Sequence, residues 1–158
     1  MKPLKERKAE PSAMRFREYE PGDFSRLCEL DRICFPSAMA YDPEEIAAAL
    51  LQPRAFCVVA EQDDQVVGFI LLDYRRSVGH ITTIDLHPDY RRRGLGGHLM
   101  EMGEQRLLKR GVRRVVLEVA VGNDPAIAFY QGRGFARQRL LRHYYRDGSD
   151  AYLMEKSL

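Results

Sequence analysis

The 158-residue chain is 45% hydrophobic and 30% charged, an ordinary balance for a soluble globular protein with one sizeable core. Its longest uncharged apolar run, Val66 to Leu72, is too short to span a membrane, and no charged-then-apolar leader opens the chain. The formal charge of +2 resides in residues 1–13, where Lys2, Lys5, Arg7 and Lys8 outnumber Glu6 and Glu10, so the neutral remainder argues against a general nucleic-acid binder.

Residues 1–13 read as a disordered basic extension, and residues 14–158 as a single domain. Cys28, Cys34 and Cys57 are odd in number and lack Cys-x-x-Cys spacing. That points to a reducing cytoplasm rather than to disulfides or zinc. The histidines at 80, 87, 98 and 143 are scattered and form no metal-ligand pattern, and His87 and His143 read as incidental.

The alternation from Met14 to Glu20 predicts a short strand, and Pro21-Gly22-Asp23 a turn, with Asp23 as the N-cap of a helix. Phe24, Leu27, Cys28, Leu30 and Ile33 then follow helical spacing up to Phe35-Pro36. Asp42-Pro43-Glu44-Glu45 is a strong start signal for a second helix over Glu44 to Leu51, stopped by Pro53. Phe56 to Ala60 and Val66 to Leu72, joined by Gln62-Asp63-Asp64-Gln65, predict a hairpin, and Gly79 to Leu86 a third strand.

Asp89-Tyr90-Arg91-Arg92-Arg93-Gly94-Leu95-Gly96-Gly97 then opens an amphipathic helix whose buried stripe reads as Gly96, Leu99, Met100, Gly103 and Leu107, ending at Gly111. Three arginines at the positive end of a helix dipole are unfavourable by themselves. An anion on the free N–H groups reverses that, and Gly94, Gly96 and Gly97 admit close approach. A solvated arginine run before a glycine-tolerant helix is the plainer alternative. The dinucleotide pattern fails because Leu99 stands three residues after Gly96, and no Gly-Lys-Ser/Thr run exists for a nucleotide loop.

Val115 to Val121 is a nearly continuous β-branched run, as in a strand buried on both faces, and its crossover connection predicts pairing parallel to the strand ending at Leu86. A short helix over Pro125 to Gln131 follows. Two strands then close the chain, roughly Phe135 to Tyr145 and Ala151 to Lys156, around a turn at Asp147-Gly148-Ser149. The arginines of 137–146 either steer an acidic acceptor or keep an edge strand soluble.

Arg91-Arg92-Arg93-Gly94-Leu95-Gly96 matches the Arg/Gln-x-x-Gly-x-Gly/Ala loop of the GNAT superfamily of N-acetyltransferases. Ile84-Asp85-Leu86-His87-Pro88 before it resembles the same coenzyme-binding segment. So do Leu117-Glu118-Val119, Asn123, Ala126 to Tyr130 and Gly134-Phe135 after it, in the family's next motif. His143-Tyr144-Tyr145, Asp147-Gly148 and Asp150 to Met154 resemble the ending of the RimI-type and archaeal N-terminal acetyltransferases. The resemblance implies an α/β fold with a mixed, mostly antiparallel sheet of about seven strands and four helices, in the order β-α-α-β-β-β-α-β-α-β-β.

It also implies an acetyl-coenzyme A-dependent enzyme without a metal, acting on an amine, most simply the N-terminus of a protein or peptide. Lysine side chains and small amines remain alternative acceptors, and a coenzyme A-binding module without turnover is the alternative of another class. Partners in nucleic acid or membrane are not expected, and the chain is expected as a monomer or weak homodimer. Arg91, Arg92, Arg93, Gly94, Leu95, Gly96 and Gly97 would wrap the pyrophosphate, and the backbone of Ile84, Asp85 and Leu86 would pair with pantetheine.

The single residues carry two readings each. Glu118, mid-run in an apolar strand, is either a structurally bonded carboxylate or, by resemblance, the general base. Tyr130 is either a core tyrosine or the acid that protonates the departing thiolate while contacting the coenzyme. Asn123 is a turn or cap residue, or a pantetheine contact. Asp85 is a cap or arginine partner, or a second choice of base. Phe35, Pro36, Tyr41, Tyr144 and Tyr145 either grip a peptide acceptor or pack the core. The chain departs from the RimI pattern at Ala120, where arginine is usual, at Gly122 in place of serine, and in the Ser37–Tyr41 loop, so a ribosomal-protein acceptor is not implied.

Overall fold

The computed structural model describes residues 13–158, so the extension over residues 1–13 lies, but for Ala13, outside the described residues. Strand β1 (Arg15–Glu18) leads through a turn into α1 (Phe24–Cys34) and α2 (Pro43–Leu50). A meander of β2 (Phe56–Gln62), β3 (Gln65–Arg75) and β4 (Val78–Leu86) follows. Helix α3 (Leu95–Lys109) crosses to β5 (Arg114–Ala120), and α4 (Asp124–Gly132), β6 (Ala136–Leu141) and β7 (Ala151–Ser157) complete the chain. All seven strands form one sheet in the order β1-β2-β3-β4-β5-β7-β6, with only β4 and β5 parallel. Element order, mixed sheet and parallel pair are those read from the sequence.

Strands β2 and β3 are buried on both faces, which explains their continuous apolar runs. Cys57, Val59, Phe69 and Leu71 pack with Leu27 and Leu30 of α1. Val58, Ala60, Ile70 and Leu72 pack on the other face with Leu99, Met100 and Leu107 of α3. Gly103 lets α3 lie against β3, since a Cβ there would stand 3.1 Å from Leu72. The α2 start carries the expected capping box, Asp42 with Glu45, whose Oε2 accepts the Asp42 N–H at 2.7 Å.

Several expectations are corrected. Asp23 does not cap α1; its carboxylate accepts the Glu20 N–H at 2.8 Å and takes both arms of Arg17 at 2.8 and 2.9 Å, a stronger charge-assisted arrangement. The α3 stripe buries Gly97 rather than Gly96, because the stripe starts one residue later. Strand β5 is not buried on both faces: Val115, Leu117 and Val119 are buried, whereas Val116 and Glu118 are half-buried. The physical reason is coverage, since the core under α1 includes no residue of β5. Finally, β6 ends at Leu141, so Tyr144 and Tyr145 stand in the loop before β7 rather than in a strand.

Candidate active site

Strands β4 and β5 pair only over Val78–His80 and Arg114–Val116. Beyond that point β4 continues beside β3 to Leu86 while β5 follows β7 to Ala120, so a wedge opens between them. A bulge sets what faces the wedge. Leu71 pairs with Thr83 but Leu72 with Ile81, which leaves Thr82 as an extra residue on β4 and turns Thr83 and Asp85 onto the α1 face. The His87 N–H bonds Val67 O at 2.8 Å, so by alternation Asp85 and Thr83 bond β3, and the N–H groups of Ile84 and Leu86 point into the wedge.

At the C-terminal end of β4 the chain turns through Pro88–Tyr90 to the arginine-glycine loop. Gly94, the N-cap of α3, has φ 77°, a left-handed conformation that Arg92 shares at 63°. Gly94 offers no side chain to the helix start, so the N–H groups of Leu95, Gly96 and Gly97 lack intrahelical acceptors. Arg91, Arg92 and Arg93 are exposed around them; Arg91 is anchored by a 3.1 Å bond to Leu86 O and Arg93 lies over the Tyr90 ring. A Cβ on Gly97 would stand 1.6 Å from the Arg133 guanidinium. Gly97 thus makes room for Arg133 beside the helix start, and the free donors with the surrounding cations make that start suited to an anion.

Inside the wedge, Glu118 Oε2 lies 2.8 Å from His80 Nε2. The two side chains are 20% and 34% exposed, so both meet solvent on one side. Burial pulls the His80 pKa down, but the Glu118 hydrogen bond and the charges of Glu118 and Asp73 outweigh it and leave it above the ordinary histidine value. His80 also lines a surface depression with Asp73, Arg75 and Ser77, which gives a proton a route to water.

Tyr130 of α4 sits edge-on between Phe129 and Phe135, with centroids at 5.4 and 5.8 Å. Burial, then the charge of Asp85 and the neighbouring Tyr145, hold its hydroxyl protonated far past neutral pH. Asn123 caps α4, its Oδ1 accepting the Ala126 N–H at 3.3 Å, so the cap reading is the one the geometry displays.

Of the expected acceptor residues, Tyr41, Tyr144 and Tyr145 all feel the charge of Glu118. Burial is the main influence raising each, Tyr145 to about 12. Tyr144 and Tyr145 stack edge to face at 5.0 Å. Pro36 is exposed and shapes the loop by accepting the Met39 and Ala40 N–H groups, while Phe35 is half-buried. His87 accepts the Asp89 N–H, a local turn bond, and His143 bonds Gly148 O in its own loop.

The family model for the acetyltransferase (GNAT) family matches residues 24–135, a span that holds the wedge, the arginine-glycine loop and Glu118. The chain belongs to the GNAT acetyltransferase family. It is 32% identical over 157 residues to the N-alpha-acetyltransferase of Sulfurisphaera tokodaii, covering 91% of this chain and 93% of that one. Among solved structures, Ard1 from Thermoplasma volcanium is 30% identical with a TM-score of 0.82, covering 93% of this chain and 99% of that one. The ribosomal-protein alanine N-acetyltransferase of Escherichia coli is 27% identical with a TM-score of 0.81, covering 92% and 94%. As a GNAT member the chain is an acyltransferase, in line with the resemblance read from its motifs.

Two residues of this GNAT site, His80 and Asp31, escaped sequence reasoning, and a third, Arg146, reads there only as one of the arginines of 137–146. His80 looks solitary until the parallel register sets it beside Val116, on the same face as Glu118. Arg146 bonds Ala40 O at 3.0 Å and Glu45 at 2.9 Å, tying the loop of Tyr144 and Tyr145 to the loop of Tyr41. Asp31 holds the Tyr41 N–H at 2.6 Å from within a helix that reads only as amphipathic.

Proposed function

We propose that this GNAT enzyme transfers the acetyl group of acetyl-coenzyme A to the α-amine of a protein or peptide N-terminus, with Glu118 as base and Tyr130 as acid. One observation carries the reading: a carboxylate held by an imidazole at 2.8 Å stands where β4 and β5 part, beside a strand edge with free N–H groups. The co-substrate supplies an activated acyl group on a thiol leaving group.

The N–H groups of Leu95, Gly96 and Gly97 with Arg91, Arg92 and Arg93 take its pyrophosphate, and Asn123 has its amide NH₂ left to donate after capping α4. Ile84 and Leu86 donate N–H groups to the arm between phosphate and thioester, and one of them polarises the carbonyl. Tyr41, Tyr144 and Tyr145 hold the acceptor chain beside Glu118. Glu118 takes the ammonium proton, with His80 ready to share it across the 2.8 Å bond. The amine nitrogen bonds the carbonyl carbon, the C–S bond breaks as Tyr130 delivers its proton to the thiolate, and the nitrogen sheds its second proton, which restores the Tyr130 hydroxyl.

An N-terminal amine, with pKa about 7.7–8.0 against about 10.4 for lysine, needs only a modest base, which suits a partly exposed carboxylate–imidazole pair. The setting read for this activity is the cytoplasm, with the chain as a monomer or weak homodimer. No helix among the described residues is long and apolar enough to cross a membrane.

The test is thiol release from acetyl-coenzyme A with three acceptor sets: unblocked peptides varied at the first residue, N-blocked lysine peptides, and small amines. Release with unblocked peptides, falling at least about tenfold in Glu118→Gln, is the expected result. Turnover confined to lysine peptides or small amines would overturn the acceptor, and coenzyme binding without release from any set would overturn the activity.

A further inference from the structure

The contact between α1 and β4 contains a group that the proposed chemistry leaves unused. Asp31 is 0% exposed and Asp85 1% exposed, and neither carboxyl is paired with a cation. Asp31 Oδ2 accepts the Tyr41 N–H at 2.6 Å, and Asp85 Oδ1 accepts the Thr83 hydroxyl at 2.5 Å. Asp31 Oδ1 and Asp85 Oδ2 are both buried without a hydrogen-bond partner, and each carboxyl acts on the titration of the other. Carboxylate oxygens only accept, so a bond that satisfies both requires a proton on one of them. Two buried like charges in contact cannot both ionise cheaply, which favours the same state.

We propose that Asp31 and Asp85 share one proton and act as a latch that holds the acceptor loop, residues 35–41, against the strand that receives the thioester. This deepens the acetyl-transfer reading and rests on it for its functional consequence. Asp31 grips both ends of that loop: its backbone carbonyl accepts the Phe35 N–H at 3.0 Å and its carboxyl the Tyr41 N–H. Asp85 carries the grip onto β4, between the Ile84 and Leu86 N–H groups that face the wedge. The Tyr41 hydroxyl adds a bond to Thr82 O at 3.3 Å.

Charged and titratable groups surround the pair on every side. Arg32 and Cys34 come from α1, Glu45 from α2, Tyr41 from the loop, Cys57 from β2, Arg91 from the arginine-glycine loop and Tyr130 from α4. Glu45 favours keeping the shared proton, and Arg32 and Arg91 oppose it. Burial is the largest influence on both carboxyls and leaves each above the usual carboxylate range. Loss of the shared proton as pH rises replaces a bond by repulsion and lets the loop go.

Asp31→Asn separates the latch from mere packing. The amide oxygen still accepts the Tyr41 N–H and the NH₂ donates to Asp85. The pair keeps the single negative charge of the shared-proton state but has no proton to lose. The first measurement is a carbon-13 carboxyl NMR titration of the full chain. Asp31 and Asp85 should titrate as a unit, with one proton held above the ordinary carboxylate range; separate titration of both within that range would overturn the latch. That readout needs no turnover, so its failure and a failure of the acetyl-transfer reading are distinguishable.

The second measurement is KM for an unblocked peptide drawn from the acceptor screen, as a function of pH. It should rise with pH as the shared proton is lost in the parent, lack that rise in Asp31→Asn, and be raised at least about fivefold at all pH values for Asp31→Ala. Asp31→Asn rising with pH like the parent would overturn the proposal. So would a folded Asp31→Ala with parental KM. If Asp31→Ala does not fold, the titration and the Asp31→Asn comparison still decide.

Discussion

At 2.8 Å, Glu118 and His80 can exchange a proton without either side chain moving, and His80 reaches solvent on its far side. The proton-accepting form needs a neutral His80, whose pKa lies above the ordinary histidine value. The acidic limb of kcat/KM should therefore fall at higher pH than about 6.5, the free-histidine value. Replacing Glu118 by Gln removes the charge that raises His80 and should move that limb to lower pH; a limb that does not move would exclude the pair as a proton acceptor. Tyr130→Phe keeps the ring contacts with Phe129 and Phe135 and removes only the hydroxyl. Because a thiolate needs little help in leaving, kcat should drop about tenfold to a hundredfold with unchanged KM for acetyl-coenzyme A, measured under saturating acceptor.

Among the elements, β4 does most of the positioning, and its neighbour β3 is shaped to allow it. A Cβ on Gly68 would stand 2.8 Å from Asp85 O and 2.7 Å from Leu86 Cδ1, the first of these being backbone that has nowhere to go. Gly68→Ala should thus destabilise the fold by about 1–3 kcal/mol and raise KM for acetyl-coenzyme A, as read by thermal melting and initial rates. The loops follow a different logic. Arg146 is half-exposed and joins two loops through Ala40 O, Glu45 and Asp42. Its replacement by Ala should leave the melting temperature nearly unchanged and raise the acceptor KM by up to about fivefold.

Across the whole molecule, two groups of buried or half-buried aspartates give stability opposite pH dependences. Asp23 is held below the ordinary carboxylate range first by its bond to Arg17, despite burial. Its contribution is present above the unfolded value and is lost as pH falls through the folded one. Asp23→Asn should cost about 1.5–3 kcal/mol at neutral pH, a difference that closes in acid. Asp31 and Asp85 are raised instead, mainly by burial. The unfolded chain releases a proton that the folded chain keeps, so stability falls as pH rises above about 4, by up to about 1.4 kcal/mol per pH unit. Asp31→Asn lacks that proton and should gain on the parent over the same range in denaturant titrations.

By itself the sequence determined what depends on local periodicity and on short motifs. Runs such as Phe56 to Ala60 and Val66 to Leu72 can bury both faces only inside a sheet, and the Arg91–Gly96 loop can start a helix in few ways. The element order, the parallel pair and the family follow from such features. Tertiary structure alone decided which side chains meet. The Thr82 bulge turns Asp85 toward Asp31, and the register of Val78–His80 on Arg114–Val116 delivers His80 to Glu118. The end of β6 at Leu141 frees Tyr144 and Tyr145 to face Tyr41. The physical reason is that a strand's period of two makes facing depend on a single residue of register, which is set by packing across the whole sheet and leaves no mark in the local pattern.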